Sequence, residues 1–322
     1  MAYTSGDTIL DDHYNIFVQG GASSVDHNTA NVNTVWGSGT SDKGWGQSGG
    51  LSTVSAGSTI TATQWVNLLN RCNTIASHQG TTLTAISNPS VGDTISAYTA
   101  LSGNITSLYN NRLNCAASGT DITTGGSRTG TNTWYTNQQT VFTVTFASTD
   151  AARYFFNAGG RIALSFSRSG GTASSKNTGW TNLCSACGTL YFTGGSGTAT
   201  IAGGSYTGTN KSGGSGTTTT LTTTTGWHDY TAAYVEHFKQ YDATYLYTSN
   251  YIKVEGYKSG ANIYYRVTFQ DDANTSGNPS ATQDEPVDGT LAATMVIKPP
   301  ATTYLSASWG TPTMSSTAFS GS

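Results

Sequence analysis

Four groups of side chains in this sequence have the types and spacing to do chemistry. Cys184-Ser-Ala-Cys187 carries the two-residue gap of metal and dithiol motifs, but no second pair or nearby His completes a zinc site. His228 and His237, nine apart with Asp229 and Glu236 close by, offer a metal or acid–base pair. Asp272-Ala-Asn274-Thr-Ser276-Gly277 opens like a calcium loop, in which oxygen ligands alternate and a glycine permits the sharp turn. Its twelfth position is Gln283 rather than a bidentate Glu, and a hairpin or Asx turn accounts for the same residues.

A polysaccharide depolymerase would need two carboxylates facing each other across a groove, and Asp229, Glu236, Asp242 and Glu255 are the candidates. Nothing in their spacing singles out two of them. There is no Gly-x-Ser-x-Gly elbow, phosphate loop or dinucleotide fingerprint. The expectation is a protein that is not an enzyme, with no catalytic residue, no cofactor and no metal. Whether Cys184/Cys187 or the Asp272 loop holds a metal stays open at this level.

The element best able to position anything is the stretch Gly57 to Gly80. Trp65, Leu68, Leu69, Cys72, Ile75 and Ala76 recur at the three-and-four spacing of one helical face, with Asn67, Asn70, Arg71 and Asn73 opposite. Thr63 is the expected cap and Gly80 the left-handed stop. Residues 6–18 align without gaps on 57–69, with Asp12 for Thr63 and Tyr14 for Trp65, and a truncated third copy begins at Gly92-Asp93-Thr94-Ile95. A further helix from about Thr94 to Leu113 places Tyr98, Leu101, Ile105, Leu108, Arg112 and Leu113 on a seven-residue rhythm. With the Pro89 turn the two helices predict a helical hairpin. Tyr14, Phe17, Trp65, Leu68, Leu69, Ile75, Leu101, Ile105 and Leu108 are the expected attachment and oligomerisation residues, a trimer being favoured.

Gly44-Trp45-Gly46-Gln47 and Val35-Trp36-Gly37 predict tight turns with indoles packed over backbone, an exposed sugar platform being the alternative. Residues 116–133 are Gly, Ser and Thr with few apolar side chains, and read as a linker. Beyond it, 141–146 and 161–167 alternate as strands around a helical turn at 150–160, and 250–257 pairs with 263–269 as a hairpin. The near-low-complexity stretch 194–225 predicts a mobile loop or edge strands with small side chains, and 289–298 a last strand. The fold class expected is α+β: a small N-terminal helical-hairpin domain with short strands (1–115), then an antiparallel, jelly-roll-like β-sandwich (134–300) and an extended polar tail (301–322).

Composition narrows the class. Charged residues make up 10% and aromatic residues 11%, with 18 tyrosines and a net charge of −3. Disorder of the usual kind needs few aromatics and high charge, and nucleic-acid binding a basic patch, so neither is expected. No long apolar run predicts a membrane span. No Lys or Arg precedes Lys43 and no apolar run follows the start, so an export signal is not expected. That combination has a short list of explanations, one of which is assembly in the cytoplasm into a particle released by lysis.

The opening Tyr3-Thr-Ser-Gly-Asp-Thr-Ile9 with Tyr14-Asn15, Gly44-Trp45-Gly46-Gln47, Ile60-Thr-Ala-Thr-Gln-Trp65 with His78-Gln79, and Tyr109-Asn-Asn-Arg112 together resemble virion structural proteins of marine cyanobacterial tailed phages. So do Phe142-Thr-Val-Thr-Phe146, Ala152-Arg153-Tyr-Phe-Phe-Asn157-Ala-Gly-Gly160-Arg161-Ile162 and Trp180-Thr-Asn-Leu183. These motifs have no catalytic signature and cover most of the chain outside the Gly/Thr-rich loop. The resemblance implies a non-enzymatic component of a virion, of the tail or fibre type. Its expected partners are other virion proteins, further copies of itself, and a host-surface glycan or protein. A capsid-decorating or neck protein and a polysaccharide depolymerase are the alternatives.

Overall fold

The computed structural model describes residues 11–20, 27–90, 97–195, 197–244, 246–273 and 285–321. Four helices precede the strands: α1 (Asp11–Gln19), α2 (Val32–Trp36), α3 (Ala62–Gln79) and α4 (Tyr98–Asn110). Helix α3 buries the expected face and stops at Gly80, whose φ of 70° lets its N–H reach Ala76 O. Its start differs from the expectation. Thr61, not Thr63, is the cap, because Gln64 three residues on returns the hydrogen bond in a capping box. The copy at 92–95 and the first residues of the N-terminal copy lie outside the described residues.

Among the described residues six α-helices accompany mostly antiparallel sheets, an α+β arrangement in which two large sheets stack like a sandwich. The remaining elements are β1 (Ser127–Gly130), β2 (Asn137–Thr145), α5 (Thr149–Asn157), β3 (Arg161–Ser169), α6 (Ser175–Ala186), β4 (Thr189–Phe192), β5 (Ala199–Ile201), β6 (Gly204–Tyr206), β7 (Thr209–Ser212), β8 (Thr218–Leu221), β9 (Val235–Tyr241), β10 (Tyr251–Ser259), β11 (Asn262–Gln270), β12 (Thr290–Lys298) and β13 (Thr313–Ser316). One sheet runs β1-β12-β3-β4-β7, the other β13-β2-β11-β10-β9-β8, and β5 and β6 form a separate hairpin. Stretch 194–225 therefore supplies edge strands, the second of its two expected forms.

Alternation explains the layers. Phe142 and Val144 of β2, Ile252 and Val254 of β10, and Ile263, Tyr265, Val267 and Phe269 of β11 face inward. They meet Ile162, Leu164 and Phe166 of β3, Phe192 of β4, and Met295 and Ile297 of β12, with Phe166 edge-on to Phe269 at 5.7 Å and Phe192 against Tyr265 at 4.4 Å. Each such side chain contributes about 1.5–3 kcal/mol of burial.

Two expectations about connections fail for one reason. Residues 116–133, read as a linker, run along β12 instead, through bridges Ser118↔Pro300 and Ile122↔Ile297 and the whole of β1. The 301–322 stretch, read as an extended tail, buries Leu305 and Trp309 and adds β13 to β2. Backbone hydrogen bonds at a sheet edge do not require apolar side chains, so low hydrophobicity did not mean free chain.

The helical part is fastened to the sandwich through Asn157 at the end of α5. Its side-chain amide donates to Ser41 O, Lys43 O and Gly44 O at 3.0–3.1 Å, and its Oδ1 accepts from His228 Nε2 at 2.9 Å. Trp45, fully buried as expected of a packed indole, donates from Nε1 to Asn157 O and Arg112 O. His78 Nε2 donates to Ala158 O at 3.0 Å, and Gln47 binds Ser306. One continuous cluster of buried apolar residues runs through both parts, with a small separate one at Cys115, Ala199 and Ile201.

Gly46 is needed there. It sits at φ 67°, and a Cβ would lie 2.3 Å from the Tyr154 ring. Gly46→Ala is expected to cost about 2–3 kcal/mol, read as a lower urea midpoint. Gly49→Ala, at φ 68° with open space around it, should cost only the backbone strain of about 1 kcal/mol.

Candidate functional site

The predicted carboxylates do not converge as a hydrolytic pair. Glu236 and Glu255 are register partners on the outer face of the six-stranded sheet. Glu255 accepts from Arg266 Nε at 2.9 Å and lies 3.2 Å from Lys253 Nζ, and these cations hold its carboxyl below the usual range against the opposing effect of burial. A general acid needs the reverse shift. Glu236 takes a hydrogen bond from the Thr220 hydroxyl. Asp229 accepts from Gly226 N at 3.0 Å and fixes a turn. Asp242 is 5% exposed, and burial raises its pKa. Its Oδ1 accepts from Thr244 N, while Oδ2 has no partner and lies where a Cβ on Gly179 would stand 2.6 Å away.

The histidines serve packing. His228 binds Asn157, and His237 stacks on Tyr230 at 4.5 Å with Nδ1 3.0 Å from the Thr222 hydroxyl. Burial pushes both down to about 4, so they are neutral at physiological pH. Cys184 and Cys187 are free, buried thiols, Cys184 pushed up to about 12 and Cys187 also raised. No group of three or more His, Cys, Asp or Glu able to hold a metal occurs among the described residues. Asp272 accepts from Gln270 Nε2 and donates its N–H to Asn250 Oδ1. The remainder of that loop from Asn274 to Gln283 lies outside the described residues.

The nine residues expected at an oligomer seam are placed elsewhere. Tyr14, Phe17, Trp65, Leu68, Leu69, Ile75, Leu101, Ile105 and Leu108 are each at most 5% exposed within a single chain. Their apolar faces are spent on α1–α4 packing against one another, so another surface must carry any contact between copies. Periodicity reports that a face is buried, not which molecule buries it.

What the structure does bring together is a groove of about 620 Å³ between the end of α6 and the edge of the six-stranded sheet. Asn182 comes from α6, Ser215, Thr217 and Thr219 from the β7–β8 connection and β8, and Tyr241, Asp242 and Thr244 from the end of β9. Gln240 holds the wall in place, donating to Ser215 O at 3.0 Å and accepting from Lys211 Nζ at 2.7 Å. Tyr241, 37% exposed, stands edge-on to Tyr251 at 5.3 Å, with Lys239 Nζ 3.8 Å from the Tyr251 ring centroid. Hydroxyls and a carboxamide match the donors and acceptors of a sugar, and the face of a partly exposed tyrosine ring matches its C–H surface. Asp242 is among the carboxylates expected from the sequence, whereas α6, which forms the opposite wall, leaves no signal in it.

Along the outer face beside it, Lys253, Glu255 and Arg266 separate this pair from a second tyrosine cluster, Tyr234, Tyr257 and Tyr264. Tyr257 and Tyr264 stack at 4.5 Å, and Arg266 lies 4.1 Å from the Tyr234 ring centroid, so these rings are occupied with one another and with cations. No described helix is long and apolar enough to cross a membrane. No family model, curated protein or solved structure matches the chain.

Proposed function

We propose that this chain is a non-enzymatic structural protein of a tailed-phage virion, a tail fibre or tail-associated appendage that touches the host surface through its sandwich. The observation that carries the host-contact part is the hydroxyl-lined groove with Tyr241 at its rim. The virion part is supported by the resemblance of the 152–162 and 44–47 motifs, and these meet at the Asn157 joint. In this reading the sandwich is jelly-roll-like and α3 and α4 act as a hairpin. Copies assemble, three being favoured, through surfaces other than the α1–α4 core, and the particle is put together in the host cytoplasm.

Antibody labelling of purified particles tests the placement: signal on the tail or its fibres is expected, and signal on the capsid or neck would replace this reading with the decorating or connector one. Tyr241→Ala tests the contact. The side chain is partly exposed, so folding should be unchanged, while particle adsorption to host cells should fall about tenfold, the loss of one stacking contact of about 1.4 kcal/mol. Unchanged adsorption would remove the groove from the proposal.

A further inference from the structure

Of the seven arginines, six donate to an acceptor: Arg71 to Gly49 O, Arg112 to Asp42, Arg128 to Ser316 O, Arg153 to Asp150, Arg168 to Asp288 and Arg266 to Glu255. Arg161, at the start of β3, is the exception. It is 7% exposed, and its Nε and Nη1 are buried with no hydrogen-bond partner. The guanidinium rests in the corner of two rings, 5.0 Å from the Tyr206 centroid and 5.8 Å from that of Tyr191, themselves edge-on at 5.2 Å. A ring face attracts the cation but supplies no lone-pair acceptor, so the buried Nε and Nη1 donors still need one. A buried cation without a counter-charge is strongly unfavourable, so its donors call for an anion.

The chain at 115–118 and the β5–β6 hairpin lie around Arg161. Arg161 faces outward from the five-stranded sheet, since its neighbour Ile162 points into the core. The β5–β6 hairpin covers that face, bringing Tyr206 over Arg161. The register puts Ser118 on the same side: Arg161 pairs with Lys298, and Pro300, two residues on, bridges Ser118. Ser118 Oγ is also buried without a partner. The hairpin is tied to the body at Cys115, which donates to Thr200 O at 2.9 Å and accepts from Ala202 N at 2.8 Å. At its turn, Gly203 has open space, so that an added Cβ would meet nothing within 4 Å.

We infer that Arg161 is the cationic floor of an oxyanion site roofed by the β5–β6 hairpin, with Ser118 as a second donor. The ligand class is a phosphate, sulfate or carboxylate group, whose oxygens accept from in-plane N–H and hydroxyl donors. The anion enters by displacing the roof, and once bound it fastens the hairpin to the sheet. This site lies on the other sheet from the groove and does not depend on the virion assignment.

The test uses the full chain at constant ionic strength, balanced with chloride, and inorganic phosphate, sulfate and acetate as separate probes. Phosphate is expected to raise the unfolding midpoint by a few degrees in proportion to occupancy, and to slow amide exchange across 199–206. Arg161→Met, which keeps the aliphatic stem and removes the charge, is expected to weaken phosphate binding at least tenfold by calorimetry. A response to phosphate and sulfate alone assigns the site to tetrahedral anions; an acetate response of equal size assigns it to carboxylates, including one on a protein partner. If Arg161→Met does not fold, Arg161→Lys keeps the charge without the planar fork and should bind severalfold more weakly than the native chain. No response to any of the three ions, or an equal response in the Arg161 variant, overturns the site.

Discussion

Replacing Asn157 with leucine is expected to destabilise the whole chain by about 5 kcal/mol, lowering its unfolding midpoint by about 10 °C. Leucine has the same number of side-chain heavy atoms but bulkier methyl groups, so overpacking at this fully buried site adds to the loss of hydrogen bonds. Asn157 is fully buried, and its removal leaves Ser41 O, Gly44 O and His228 Nε2 without their partner, each at about 1–3 kcal/mol. Lys43 O keeps a bond from Arg153 Nη1 at 2.9 Å and is less affected. Asn157→Asp separates the contributions further: it retains the shape and the acceptor for His228 but turns a lone pair toward the three carbonyls. Both variants should unfold in one transition at lower urea, because the helical part and the sandwich share one core. A change below 1 kcal/mol would show that the joint is not held by this residue, and two separated transitions would show that the helical part and the sandwich do not unfold as one unit.

The same joint shows what was legible in the sequence. The sequence predicts a helical turn at 150–160, which the structure has as α5, but it does not predict that this segment is a hub. Its partners are backbone carbonyls more than a hundred positions away, and carbonyls have no sequence signature. Strands β2, β10, β11 and β12 were legible because one face of each is buried and the other is not. Helix α6 was not, because Gly179 lies in its middle; there a Cβ would stand 2.6 Å from Asp242 Oδ2, so a local propensity is overridden by a close approach. Gly125 and Gly126 misled in the same way. They suggested free linker, yet Cβ atoms there would come within 2.0 Å of Met314 O and 2.1 Å of Met295 O. The groove inherits this blind spot, since one of its walls is α6 and another is the Ser/Thr-rich stretch whose pairing is invisible to periodicity.

Acid is expected to unfold this protein well above the range in which carboxylates titrate. His78, His228 and His237 are each buried and neutral, with burial pushing all three down to about 4 from an ordinary value of 6.5. The surroundings give the charge little help. His78 faces Trp45 and Ala158 O; His237 faces Tyr230, Phe192 and Thr222; at His228, Asp42 and Asp229 oppose the burial while Lys258 and Arg153 add to it. Because the folded value lies below the unfolded one, the unfolded chain binds the extra protons between pH 6.5 and 4, and stability falls as pH falls through that window. Each histidine contributes up to about 1.4 kcal/mol per pH unit and about 3 kcal/mol in all, so three together remove of order 10 kcal/mol, comparable to the whole stability of a domain. Asp242 acts in the opposite sense, since its raised carboxyl is relieved by protonation, but it is one group against three. Asp42 and Glu255, both lowered, add their losses only further down the scale. Urea unfolding at half-unit steps from pH 7.5 to 4.5 should therefore show a steep decline below 6.5. His78→Gln, which keeps a donor for Ala158 O without a titrating ring, should flatten the slope by about a third. Constant stability across that window would mean that water or an anion reaches these rings, and would place the joint nearer to solvent than its burial implies.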